Sequence, residues 1–162
     1  MDFELKKINF DNISLLENLF QLYIHDISKE LSWDCNGYGK FETYSLEEWI
    51  KNQDNFGYFV YVKDKLAGFV MVDKEFKVLS NESGNYNLSE IFILNNYKCK
   101  GLARSVALKI FEMYKGNWEC RPVPKSISAL TFWEKVFSNF PYKVIKNEWK
   151  ANRFAFTFNN KI

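Results

Sequence analysis

Apolar residues recur along the chain in two rhythms. In "FELKKINF" they alternate with polar ones, the period of a half-buried strand. From Ser14 onward, Leu16, Leu19, Phe20, Tyr23, Ile24 and Ile27 fall three or four apart, as on an amphipathic helix, and Ser14 with Glu17 offers a capping box at its start. "LSWDCNGYGKFETY" breaks the rhythm with Gly, Asn and aromatics and reads as a loop. Ser45 and Glu48 then frame a short helix running to about Gln53.

"GYFVYVKDKLAGFVMVD" is two apolar runs joined through Asp64 and Lys65, which predicts a hairpin. "NESGN" marks a polar loop before the strand "YNLSEIFIL". A helix is predicted from Leu102 to Tyr114, a short strand in "NWECRPV", and a helix in "SISALTFWEKVFSNF" with Ala129, Leu130, Trp133, Val136 and Phe137 on its buried side. Two strands close the chain. The predicted order is β-α-α-β-β-β-α-β-α-β-β.

Composition changes this picture by exclusion. With 162 residues, 47% hydrophobic and 19% aromatic, residues 1–162 can build one folded domain with a sizeable core. The longest apolar run, Leu66 to Val72, is too short to cross a bilayer, and "MDFELKK" lacks the basic-then-apolar order of a signal peptide. A cytoplasmic location with no membrane partner is therefore expected. A net charge of +2, from 22 basic and 20 acidic residues, lacks the footprint of a nucleic-acid binder. The basic-aromatic stretch "YKVIKNEWKANRFAF" alternates with period two, which favours a strand pair with solvated lysines over a base-stacking surface. Cys35, Cys99 and Cys120 form no CxxC pair and His25 is the only histidine, so neither a disulfide framework nor a metal site is expected. No internal repeat or low-complexity tract is present.

The chemistry-bearing stretch is "YKCKGLARSVALKIF", where a strand gives way through one glycine to a helix. A helix start presents unpaired N–H groups that favour an anion. Gly101 permits close approach, the amides of residues 99 to 104 supply donors, and Lys98, Lys100 and Arg104 supply positive charge, as a pyrophosphate requires. The GxGxxG and Walker A patterns are absent, which argues against NAD and ATP.

The element order along nearly the whole chain resembles the GNAT superfamily of N-acetyltransferases. That family carries Arg/Gln-x-x-Gly-x-Gly/Ala between its fourth strand and third helix, where this chain has Lys98-Cys99-Lys100-Gly101-Leu102-Ala103. "ALTFWEKVF" is similar to the family's Ala-x-x-Phe-Tyr/Trp segment in its fourth helix. The resemblance implies an α/β (α+β) fold with a mixed, mostly antiparallel sheet of six to seven strands and helices on both faces. It also implies acetyl-CoA as cosubstrate and direct transfer of the acetyl group to a small-molecule primary amine, with a homodimer left open.

By the same resemblance, the pantetheine arm lies along Phe92, Ile93 and Leu94, and the pyrophosphate in the cradle of Lys98, Cys99, Lys100, Gly101, Leu102, Ala103 and Arg104. Ser126 and Trp133 of the fourth helix complete the cofactor side. Glu90 shares a strand face with Phe92 and Leu94, and desolvation there would suit it to act as a base, although a carboxylate at the strand's wet end could equally form an ordinary ion pair. N–H groups around Phe92 are candidates to stabilise an oxyanion.

Two positions depart from the family pattern. Trp133 stands where many members place a proton-donating tyrosine, and Ser126 where an asparagine is common, so a non-catalytic acyl-CoA-binding module is the alternative. A Cys99–His25–Asp26 acyl-enzyme is set aside because nothing in the sequence brings the first helix to the loop. The segment expected to meet the acceptor holds Asp26, Glu30, Asp34, Glu42, Glu47 and Glu48 beside Trp33, Tyr38, Tyr44 and Trp49. That composition suits a cationic amine, and it equally suits a solvated loop with its aromatics tucked into the core.

Overall fold

A computed structural model describes residues 1–161. Strand β1 (Glu4–Lys7) leads through a single 3-10 turn into helix α1 (Ile13–Leu31), and α2 (Leu46–Lys51) follows a long exposed loop. Then come β2 (Phe56–Val62), β3 (Lys65–Asp73), β4 (Asn85–Ile93), α3 (Leu102–Met113), β5 (Asn117–Cys120), α4 (Ile127–Phe137), β6 (Ile145–Lys150) and β7 (Arg153–Asn159). The order is the one the hydrophobic rhythm predicts. All seven strands join one sheet in the order β1-β2-β3-β4-β5-β7-β6, antiparallel everywhere except between β4 and β5.

The central strands are apolar on both sides because both sides are covered. Phe59, Phe69, Met71 and Phe92 pack against Leu16, Phe20 and Tyr23 of α1 and Trp49 of α2. On the opposite face Val60, Val70, Leu88, Trp118 and Phe158 pack against Val106 and Ile110 of α3 and Trp133 and Val136 of α4. Helices therefore lie on both faces of a mixed, mostly antiparallel sheet.

Several boundaries differ from the sequence reading. The capping box is formed by Asn9 and Asn12 on the 3-10 turn, which runs directly into α1, so Ser14 lies inside the helix and caps nothing. The hairpin turns on Lys63 and Asp64 at φ 49° and 60°, one residue earlier than expected. Helix α2 ends at Lys51, and β5 stops at Cys120, short of the proline at 122. On α4 only Trp133 and Val136 are fully buried; Ala129, Leu130 and Phe137 are half-buried.

Candidate active site

The site begins where two strands part. Parallel pairing between β4 and β5 runs only from Asn85 opposite Asn117 to Leu88 opposite Cys120, and β4 continues alone on that side to Ile93. A bulge accompanies the parting: Met71 of β3 lies opposite Glu90 and Val72 opposite Leu88, so Ser89 is the extra residue, with its hydroxyl on the Met71 carbonyl at 3.2 Å.

Backbone direction alternates along a strand. The Leu94 N–H donates to the Ala67 carbonyl at 2.8 Å, and a Cβ built on Gly68 would meet the Phe92 carbonyl oxygen at 2.0 Å. Phe92 and Leu94 thus direct their backbone groups at the β3 side. The groups aimed into the opening belong to Ile91 and Ile93, so the oxyanion donors around Phe92 are the N–H groups of its two neighbours and not its own, and of Phe92, Ile93 and Leu94 only Ile93 offers its backbone to a pantetheine arm there.

Into this opening runs a cleft of about 450 Å³, lined by Tyr23 and Asp26 of α1, Ile91 and Phe92 of β4, Arg121 after β5, and Trp133 of α4. A second cleft of about 540 Å³ shares Ile93, Lys98, Cys99 and Ala103 with it and extends past Gly101 and Arg104 to Thr131 and Lys135. Together they form one groove across the start of α3.

Gly101 is the N-cap of α3 at φ 77°, and a Cβ added there would meet nothing within 4 Å. The first α3 hydrogen bond runs from Ser105 N–H to the Gly101 carbonyl at 3.0 Å, so the amides of Leu102, Ala103 and Arg104 precede it and have no backbone partner among the described residues. Cys99 is exposed at φ 60°. The expected cations are partly engaged: Lys98 pairs with Asp26, Lys100 donates to the Asn96 carbonyl at 3.0 Å, and Arg104 uses its Nε on the Lys135 carbonyl at 3.4 Å. Lys135 adds a charge the motif did not include. These features fit a pyrophosphate: open space over a left-handed glycine, helix-start amides and several basic side chains.

Glu90 faces α1, as do Phe92 and Leu94, and its carboxylate accepts the hydroxyl of Tyr23. Burial lifts its pKa from the ordinary value to about 7; the Tyr23 hydrogen bond and the Arg121 charge oppose the rise, and Asp73 adds to it. Tyr23 is itself pushed well up, by burial and then by Glu90. Burial, Glu90 and Asp73 also raise Tyr44, whose residue is only half-covered. The result is a carboxyl group poised near neutrality beside the opened strand. Tyr23 left no signal in the sequence beyond its helical periodicity, because its partner lies 67 positions away.

Ser126 caps α4, its Oγ accepting the Ala129 N–H at 3.1 Å, and Trp133 is buried with its ring stacked on Phe137. Asp26 does reach the loop before α3, through Lys98, but His25 is exposed on the other side of α1 against Phe41, so no Cys99–His25–Asp26 triad exists. In the α1–α2 loop Trp33 and Tyr38 face solvent, the latter 92% exposed, rather than the core. Asp34, Glu42, Glu47 and Glu48 are exposed as well, and Glu48 pairs with Lys51. Of the acidic and aromatic residues in that segment, Asp26 and Glu30 line the cleft and Tyr44 approaches Glu90.

Among the described residues no cluster of His, Cys, Asp and Glu could hold a metal ion, and no helix is long and apolar enough to cross a membrane.

Residues 20–137 match the family model described as Acetyltransferase (GNAT) family. No curated protein sequence matches significantly. Among solved structures, the chain resembles an acetyltransferase from Thermus thermophilus with a TM-score of 0.66 at 13% identity, covering 98% of this chain and 97% of that one. It resembles a GNAT family acetyltransferase from Streptococcus agalactiae with a TM-score of 0.66 at 16% identity, over 98% and 95% of the two chains. The PaiA N-acetyltransferase of Thermoplasma acidophilum, solved in complex with coenzyme A, aligns at a TM-score of 0.59 and 11% identity, over 99% and 100%.

Proposed function

The chain belongs to the GNAT acetyltransferase family, and from that premise we propose that it transfers the acetyl group of acetyl-CoA directly to the cationic primary amine of a small molecule. The observation that carries this reading is Glu90, a carboxyl group with a pKa near 7 held by Tyr23 at the point where β4 loses its partner strand. Bound acetyl-CoA supplies an activated thioester. The groove over Gly101 would hold its pyrophosphate, with the α3 amides and Lys98, Arg104 and Lys135 as donors; Lys100 lines a separate cleft beside Asn96 and Tyr61.

The chain's own residues divide the remaining work. An ammonium group must lose a proton before it can attack, and Glu90 is ionised in useful proportion at neutral pH while still basic enough to accept that proton. Tyr23 fixes which way the carboxylate points. The N–H groups of Ile91 and Ile93 are directed into the opening and suit the negative charge that grows on a carbonyl oxygen during transfer. Trp133 has an indole that is no acid and contributes a packed wall.

Acetyl-CoA should raise the melting temperature, by roughly 5–10 °C at about a hundred times its Kd. Gly101→Glu should remove that rise, since it puts bulk and negative charge into the cradle, whereas Gly101→Asn, which tolerates the left-handed backbone, should keep much of it. An unchanged melting temperature in the parent protein would refute the coenzyme A assignment. Tight acetyl-CoA binding with no thiol release across a broad amine panel would point to the non-catalytic binding module.

A further inference from the structure

Arg121 enters the acyl-transfer reading only through its charge, which opposes the rise in the Glu90 pKa, yet it lines the same cleft as Tyr23 and Phe92. It follows the last residue of β5 and, by strand alternation, shares the α1 face with Glu119. Glu119 is completely buried, and its carboxylate accepts three backbone N–H groups, from Lys77, Val78 and Leu79 at 2.9, 3.0 and 2.9 Å. Those three residues belong to the loop joining β3 to β4, so one carboxylate pins that loop across the sheet. Arg121 donates to the same carboxylate through Nη1 alone.

A guanidinium has five N–H donors in a rigid fork. Among the described residues Arg121 places only the Nη1 bond on protein, and its side chain stays 21% exposed at the cleft. The carboxylates in or behind the cleft wall are already engaged. Asp26 pairs with Lys98, Glu30 accepts the Ser128 hydroxyl at 3.2 Å, and Glu90 holds Tyr23. Asp73, whose charge reaches Glu90, takes the Asn87 side chain at 2.7 Å and the Glu75 N–H at 2.9 Å. Two cations line the cleft: Lys98 stands at the start of α3 beside the pyrophosphate cradle and pairs with Asp26, whereas Arg121, held by Glu119 through one N–H, keeps spare donors on the same sheet face as the candidate base.

We propose that Arg121 binds a carboxylate of the acceptor, which makes the acceptor an amino acid or related amino-carboxylate, with its amine toward Glu90 and its carboxylate toward Arg121. The inference rests on the transferase reading for the direction of the amine. The carboxylate contact itself can be tested without turnover. The planar fork suits bidentate pairing with a carboxylate, and a polyamine lacking an acidic group would instead bring cation against cation. Glu119 would then have a second role, holding the guanidinium in place while its three N–H partners keep it satisfied.

The test is calorimetry on the protein saturated with coenzyme A, using amino acids each matched with its decarboxylated amine, alongside thiol release from acetyl-CoA with the same compounds. Hydrogen bonds to charged groups predict that the parent protein binds a cognate amino acid about ten- to hundredfold more tightly than its matched amine. Arg121→Gln should erase that ratio, and Arg121→Lys should retain part of it. An unchanged unfolding transition in the variants would show that the Glu119 anchor still holds. The proposal is overturned if amino acids and matched amines bind alike, if neither binds, or if Arg121→Gln weakens both equally. Carboxylate-dependent binding without thiol release would support Arg121 while refuting the transferase reading.

Discussion

Replacing Glu90 by Gln should stabilise the protein above neutral pH and change little near pH 5. The folded-state pKa of Glu90 stands at about 7 against an ordinary 4.5. Between those values the folded protein holds a proton that the unfolded chain has released, so stability is highest below the unfolded pKa and declines as pH rises through about 7. At about 1.4 kcal/mol per pH unit, the gap amounts to roughly 3 kcal/mol as an upper bound. Gln removes the ionisation while its amide oxygen can still accept the Tyr23 hydroxyl. Urea unfolding followed by tryptophan fluorescence, at intervals from about pH 5 to 8.5, measures the difference directly. For a chain of this size the gain at pH 8 corresponds to a rise in Tm of roughly 6–12 °C. A stability difference that stayed constant with pH, or a variant less stable at pH 8, would show that Glu90 ionises as an ordinary exposed carboxylate.

Further outcomes follow from the helix starts flanking the groove. Ser126→Ala removes the α4 cap and should cost on the order of 1 kcal/mol in denaturant unfolding while leaving turnover far less affected than Glu90→Gln does. Alkylation mapped by mass spectrometry should label exposed Cys35 and Cys99 well before Cys120, which is buried and has its thiol pKa pushed up by burial and Glu119. Acetyl-CoA should slow labelling at Cys99 and leave Cys35 unchanged; equal rates with and without it would place the ligand elsewhere.

The elements could be read from the sequence because burial on a helix or strand leaves a period that needs no knowledge of partners. The α3 start could be read for the same reason: strand, Gly101 and amphipathic helix are adjacent in the chain, and so is the charge around them. Boundaries set by competing short-range bonds were harder. Ser14 and Glu17 have the spacing of a capping box, yet Asn9 and Asn12 form one upstream and the 3-10 turn carries straight into α1. The lysine count at the cradle also overstated its free charge, since Lys98 is matched by Asp26 from α1. Contacts between distant segments left no local mark. Tyr23 on Glu90, the Ser89 bulge in the β3–β4 pairing, and the Glu119 anchor holding Arg121 all depend on the sheet bringing separate stretches together.

The central claim is that Glu90 serves as the base in acetyl transfer, and the pH dependence of thiol release from acetyl-CoA tests it most directly. With saturating amine, kcat of the parent protein should rise about tenfold per pH unit below an inflection near 7 and level off above it. Glu90→Gln should lose the inflection and fall by about a hundredfold or more at the plateau, the usual worth of a positioned base. An unaltered rate and an unaltered inflection in the variant would remove Glu90 from the mechanism.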